Sequence, residues 1–137
     1  MKNEIIPYHL IHKLLPGVTN RQEVLRRLGK PEVISFGEDY KVTYRYRTEG
    51  IEVVLRIGEQ SELSIVKAVV LVYPFQDSCV KCLDIGMSFT DACSICDSHY
   101  EFELDTETSR IYSLGDPKLN IQIWKAQEIL EKIEFFQ

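Results

Sequence analysis

The chain has 137 residues, 45% hydrophobic and 27% charged, with a net charge of −5. This composition excludes a disordered or low-complexity polypeptide and argues against wholesale phosphate binding, which relies on Lys and Arg to neutralise a backbone. No stretch approaches the roughly 18 consecutive apolar residues of a membrane helix. Pro7, His9, His12 and Lys13 interrupt the opening segment MKNEIIPYHLIHKLLPG, so it does not read as a signal peptide. The expectation is therefore a cytoplasmic protein, with no membrane partner and with its four cysteines reduced.

Leu10, Ile11, Leu14 and Leu15 form a helical stripe, and Pro7 suits a first helical turn, so a short helix is expected at 7–14. The segment from Gly17 to Glu32 carries a second helix signature. Thr19 with Gln22 three residues later reads as a capping box. Val24, Leu25 and Leu28 share one face, and Arg26 and Arg27 suit the last turn. Gly29 and Pro31 end the run, which predicts a helix at 20–28.

Strands are expected next. Residues 32–36 are short and apolar, and 37–39 form a turn. Tyr40, Val42, Tyr44 and Tyr46 alternate with Lys41, Thr43, Arg45 and Arg47, the pattern of a half-buried strand. Further strands are read at 51–57 and 64–73, joined by connections short enough to make an antiparallel meander.

The order then begins again. Residues 81–98 overlay on 13–30, with Gly86 on Gly17, Ser88 on Thr19 and Asp91 on Gln22. A helix capped by Ser88 leads to strands at 100–104, 110–114, 119–124 and 129–136. A counterpart of the first helix falls at 78–83. The fold class expected is α+β: two tandem αα-ββββ modules, 1–76 and 77–137, with short helices on one face of an antiparallel meander and both modules in one compact unit.

Gly17, Val18, Thr19, Val24, Leu28, Gly29 and Pro31, opening a helix that leads into a meander, resemble the fold group of beta-lactamase inhibitory protein. The small lipoprotein of the outer-membrane barrel-assembly machinery belongs to the same group. The resemblance implies two helices packed on one face of a sheet, with the other face concave and exposed. It also implies binding to other proteins without catalysis.

The four cysteines form two C-x-x-C pairs, Cys79/Cys82 and Cys93/Cys96, which could hold a tetrahedral zinc. The ten residues between the pairs are fewer than the roughly 15–20 usual for such sites. The second pair also falls on a helix stripe that is apolar in the first half, so buried thiols are the simpler expectation. His9 and His12 lie three apart without an evident third ligand. His99, beside Asp97 and Glu101, is a weak acid–base candidate with no nucleophile motif around it.

Charge divides unevenly. Arginines gather in 1–58, and 84–107 carries Asp84, Asp91, Asp97, Glu101, Glu103, Asp105 and Glu107. A solvated face is one reading of the acidic segment; a surface that steers a basic partner is the other. The reading reached is a non-enzymatic protein-binding module without a cofactor, in its specific form an immunity or inhibitor protein that neutralises a toxin or enzyme. Lys41, Arg45, Arg47, Asp97, Glu101, Glu103 and Asp105 are the candidate contact residues. Nucleic acid is disfavoured because tyrosine and arginine on strand 40–47 fall on opposite faces. The alternative is a zinc-stabilised regulatory or nucleic-acid-associated protein built on Cys79, Cys82, Cys93 and Cys96.

Overall fold

The computed structural model describes residues 12–57, 64–75, 83–114 and 119–137. Helix α1 (Arg21–Leu28) precedes strands β1 (Val33–Phe36), β2 (Lys41–Tyr46), β3 (Ile51–Arg56) and β4 (Ile65–Val72). Helix α2 (Phe89–His99) precedes β5 (Glu101–Asp105), β6 (Ser109–Ser113), β7 (Asn120–Ala126) and β8 (Ile129–Phe136). The strands join one eight-stranded sheet in the order β1-β2-β3-β4-β8-β7-β6-β5. Every neighbouring pair is antiparallel.

This corrects the expected fold class. The protein is mostly β, one continuous sheet with two helices among the described residues, and not a pair of tandem αα-ββββ modules. Of the helix expected at 7–14, residues 7–11 lie outside the described residues. His12 and Lys13 have φ of +53° and +57°, which a right-handed helix does not accommodate. Leu14 is buried all the same, so its place in the apolar stripe reports burial and not helix. Of the counterpart at 78–83, only Leu83 is described; it is a buried core residue outside any helix.

Around α1 the cap lies one residue later than expected. Asn20, not Thr19, is the N-cap, and its side chain accepts from the Glu23 N–H at 2.9 Å. The cause is tertiary. Residues 17–20 run against β4: the Gly17 N–H donates to Val66 O, the Val66 N–H donates to Thr19 O, and Asn20 bridges Ile65. Thr19 is held by β4 and turns its buried hydroxyl to accept from the Leu15 N–H at 2.8 Å. In α2, Ser88 caps as expected and bridges Ile129 of β8.

Pairing of β4 with β8 joins the two meanders, placing Val69 beside Phe135 and Leu71 beside Ile133. All four are buried in one core cluster that also takes Val24 from α1 and Phe89, Ala92, Cys93 and Cys96 from α2. Both helices pack on this face. The Tyr46 hydroxyl donates to Gly29 O at 2.9 Å, and the Tyr112 hydroxyl meets Cys93 O at 3.3 Å. Tyr44 and Tyr46 are core residues, whereas Tyr40, expected on the same strand face, sits in the β1–β2 turn and is 75% exposed. No described helix is long and apolar enough to cross a membrane.

Candidate functional site: a cationic groove on the helix-free face

The register fixes which side chains share the face away from the helices. On β2 and β3 they are Lys41 opposite Arg56, Thr43 opposite Val54, and Arg45 opposite Glu52. On β4 and β8 they include Ala68 opposite Phe136 and Val70 opposite Glu134. At the Lys41 end this face is hollowed into an open groove of about 720 Å³. Val54, Ala68 and Phe136 give it an apolar floor; Lys41, Arg56 and Lys67 bring cations from three adjacent strands.

Three local departures from preference meet here. First, Lys41 and Arg56 are directly opposed like charges, an arrangement that destabilises a strand pair. Among the described residues neither they nor Lys67 has an ion-pair partner within 4.0 Å. Second, the β3–β4 ladder is irregular at Val54/Leu55, where Val54 pairs Ala68 but Leu55 pairs Val66. Lys67 is the extra residue of this bulge, which re-aims it in the way bulges do beside functional sites. Third, Asp39 and Tyr40 both have positive φ, +57° and +59°. They are the central residues of the turn closed by the Lys41 N–H to Glu38 O bond, where Asn-Gly is the favoured pair. A tyrosine there is strained, and it stands exposed at the groove rim. Replacing Tyr40 with Gly is therefore expected to raise stability by about 0.5–1 kcal/mol in chemical denaturation, while stripping an aromatic contact from the rim.

Glu134 is the carboxylate of the groove wall. Burial pushes its pKa above the usual carboxylate range, opposed by Lys132, the Trp124 indole and Lys41. The indole N–H lies near enough to favour the ionised form but makes no hydrogen bond of full geometry, and it is buried without an acceptor. Because the shift is upward, ionisation costs the folded state more than the unfolded one. Glu134 is thus best tolerated below the ordinary carboxylate pKa, and that advantage is lost as pH rises through the raised value. Glu134→Gln is expected to raise the melting temperature at neutral pH, with the gain disappearing near pH ~4. An unchanged difference across that range would locate the effect elsewhere.

The expected contact residues fall in three separate places. Lys41 is in the groove. Arg45 faces Glu52, Nε to Oε2 at 3.6 Å, with no hydrogen bond from that buried Nε among the described residues. Arg47 lies beyond the far end of β2, close to Glu32. The acidic residues belong to the other end of the sheet. Asp97 accepts from the Tyr112 hydroxyl at 2.8 Å and lies 3.7 Å from Arg110, which also reaches Asp105 at 3.3 Å. Asp97 thus ties α2 to β6, and Asp105 ties β5 to β6. Glu101 and Glu103 are exposed on the edge strand β5, away from that network.

Cys93 and Cys96 are buried on the core face of α2, and burial raises the Cys93 pKa. Cys79 and Cys82 lie outside the described residues, as does His9. Among the described residues no three His, Cys, Asp or Glu side chains gather in a way that could hold a metal. The His99 ring hydrogen-bonds Ile95 O at 2.9 Å, one turn back in α2, and His12 faces Glu49 at 3.3 Å.

Sequence reading missed Arg56, Lys67 and Glu134 as members of one site. One signal was available: Lys67 is a lone charge inside the apolar run IVKAVVLV, a place where a bulge is the natural way to release it. The opposition of Lys41 and Arg56 needs the strand register.

No family model matches the sequence, and no curated protein matches it. Among solved structures the chain is similar to an extracellular protein containing an SCP domain from Bacillus anthracis str. Ames, with a TM-score of 0.59 and 10% identity. The match covers 100% of this chain and 47% of that one, so the chain spans about half the length of its neighbour. At this identity the likeness extends to the fold alone.

Proposed function

We propose that the chain is a non-catalytic protein-binding module that receives its partner on the helix-free face of the sheet. The observation that carries this reading is the opposed Lys41–Arg56 pair, with no ion-pair partner within 4.0 Å among the described residues, beside an apolar floor. A fold gains nothing from such a pair by itself, and local conflicts of this kind collect at functional sites. The groove also supplies the apolar floor and charged rim that protein interfaces use.

Neutralisation of a toxin or other enzyme is the specific form of this function that the resemblance to inhibitory proteins implies. The contact is assigned to the groove, because Asp97 and Asp105 at the acidic end are already engaged by Arg110. A photo-crosslinking residue at Tyr40, in the native cell, should give a discrete adduct with one protein. The same residue at Phe102, exposed at the acidic end, should not. The absence of any adduct at Tyr40 overturns the reading, and an adduct at Phe102 alone moves the contact to the acidic end.

A further inference from the structure

We infer that the occupant of the groove is an acidic peptide segment of the partner, with carboxylates over the Lys41–Arg56 pair and Lys67 and apolar side chains on the Val54–Ala68–Phe136 floor. The inference rests on the protein-binding reading and adds the chemistry of the ligand. Charge complementarity carries it. Three cations converge from β2, β3 and β4 with no ion-pair partner among the described residues, in a chain whose net charge is −5. The other cations of this face each have a neighbour of their own: Arg45 has the Glu52 carboxylate at 3.6 Å, without a hydrogen bond from its Nε among the described residues, and Lys132 has the Trp124 ring at 4.7 Å.

Two carboxylates also line the groove, Asp39 at the turn and Glu134 in the wall. They limit the length of anion that fits. A single-stranded nucleic acid presents a phosphate at every nucleotide and needs a basic track along its whole path. Here the basic stretch ends against Glu134 on one side and the Arg45–Glu52 pair on the other. A peptide can place two or three carboxylates over the cations and turn uncharged side chains to the rest. Burial keeps Glu134 easier to protonate than an ordinary carboxylate, which softens its repulsion of an acidic guest.

The test is fluorescence anisotropy on the full chain with three labelled probes: a nonapeptide of alternating Glu and Leu, its Lys/Leu counterpart, and a ten-nucleotide oligo-dT. The Glu/Leu peptide should bind best, and more weakly as salt is raised. Lys41→Gln with Arg56→Gln should weaken it by about tenfold, whereas Lys30→Gln, outside the groove, should leave it unchanged. Glu134→Gln should tighten it, which a merely structural role for Glu134 would not do. Thermal melts of each variant establish that it is folded.

Stronger binding of the Lys/Leu peptide, weakened by Glu134→Gln, overturns the inference in favour of a basic guest. Binding of oligo-dT as tight as that of the acidic peptide overturns it in favour of nucleic acid. Failure of all three probes overturns it outright. If the Tyr40 crosslink to a protein nevertheless forms in the cell, the protein-binding reading survives that failure.

Discussion

Gly50→Ala is expected to be among the most damaging single substitutions in this protein, costing about 3–4 kcal/mol in urea or guanidinium unfolding. Gly50 follows β2 with φ of +74°, a conformation that L side chains rarely adopt. Its N–H donates to Tyr46 O at 2.9 Å, and its carbonyl accepts from the Val72 N–H at 2.8 Å. The turn is thus fastened to the end of β4. A methyl group there would lie on the Val72 carbonyl and the Phe75 backbone, neither of which can swing aside as a side chain would. Gly86→Ala is the matched control. It also has positive φ, +100°, but nothing stands within 4 Å of the added carbon. Only the conformational cost should appear there, about 1 kcal/mol. Equal losses at the two positions would show that backbone strain, and not the collision, dominates at Gly50.

Phe135→Ala should cost about 3–5 kcal/mol, through lost burial plus the cavity left behind. Phe135 is 2% exposed and lies between Val69 of β4 and Ile121 of β7, on the strand that joins the two meanders. Its loss should therefore be felt in both halves of the sheet. Denaturant unfolding followed by Trp124 fluorescence and by far-ultraviolet circular dichroism should shift together as one transition. Trp124 lies in β7, so it reports the half built from β5–β8, while circular dichroism reports the whole chain. Separation of the two curves would show that the halves unfold independently, despite the single core cluster.

These expectations rest on features of different visibility. The strands were legible because alternation is a local property. KVTYRY and IEVVLR show in their own order which residues face the core, and the observed burial follows that order. The turn that ends β2 was legible from Thr48, Glu49 and Gly50, and α1 from its stripe and its Gly29 stop. The helix expected at 7–14 failed at His12 and Lys13, because an apolar stripe reports which residues are buried, and irregular chain can bury Leu14 as well as a helix can. The cap of α1 moved from Thr19 to Asn20 because β4, some 45 residues further along, takes the Thr19 backbone into a bridge-like contact.

The candidate site was less legible than the fold. Lys41 was picked out for its charge, but Arg45 and Arg47 were grouped with it only because they alternate along one strand. Register then separated them: Arg45 meets Glu52, and Arg47 lies past the far end of β2. Acidic residues that looked like one surface divide between an ion-pair network around Arg110 and positions on the edge strand with no ion-pair partner among the described residues. Sequence spacing describes neighbours along the chain, whereas a charge's meaning depends on neighbours across it.

By itself the sequence determined the positions of the eight described strands, the turns at 37–39 and 48–50, the two described helices and the absence of any long apolar span; the turns expected at 58–62 and 115–118 lie outside the described residues. Each depends on composition or periodicity within a dozen residues. Tertiary structure alone decided that β4 pairs with β8, making one mostly-β sheet in place of two helix-rich modules. It also decided that Lys41 stands opposite Arg56, with Lys67 brought alongside by a bulge. Those outcomes depend on register and on pairing between distant strands, and shifting a strand by one residue turns every side chain to the other face. The groove exists because that register was settled by the core on the opposite side of the sheet.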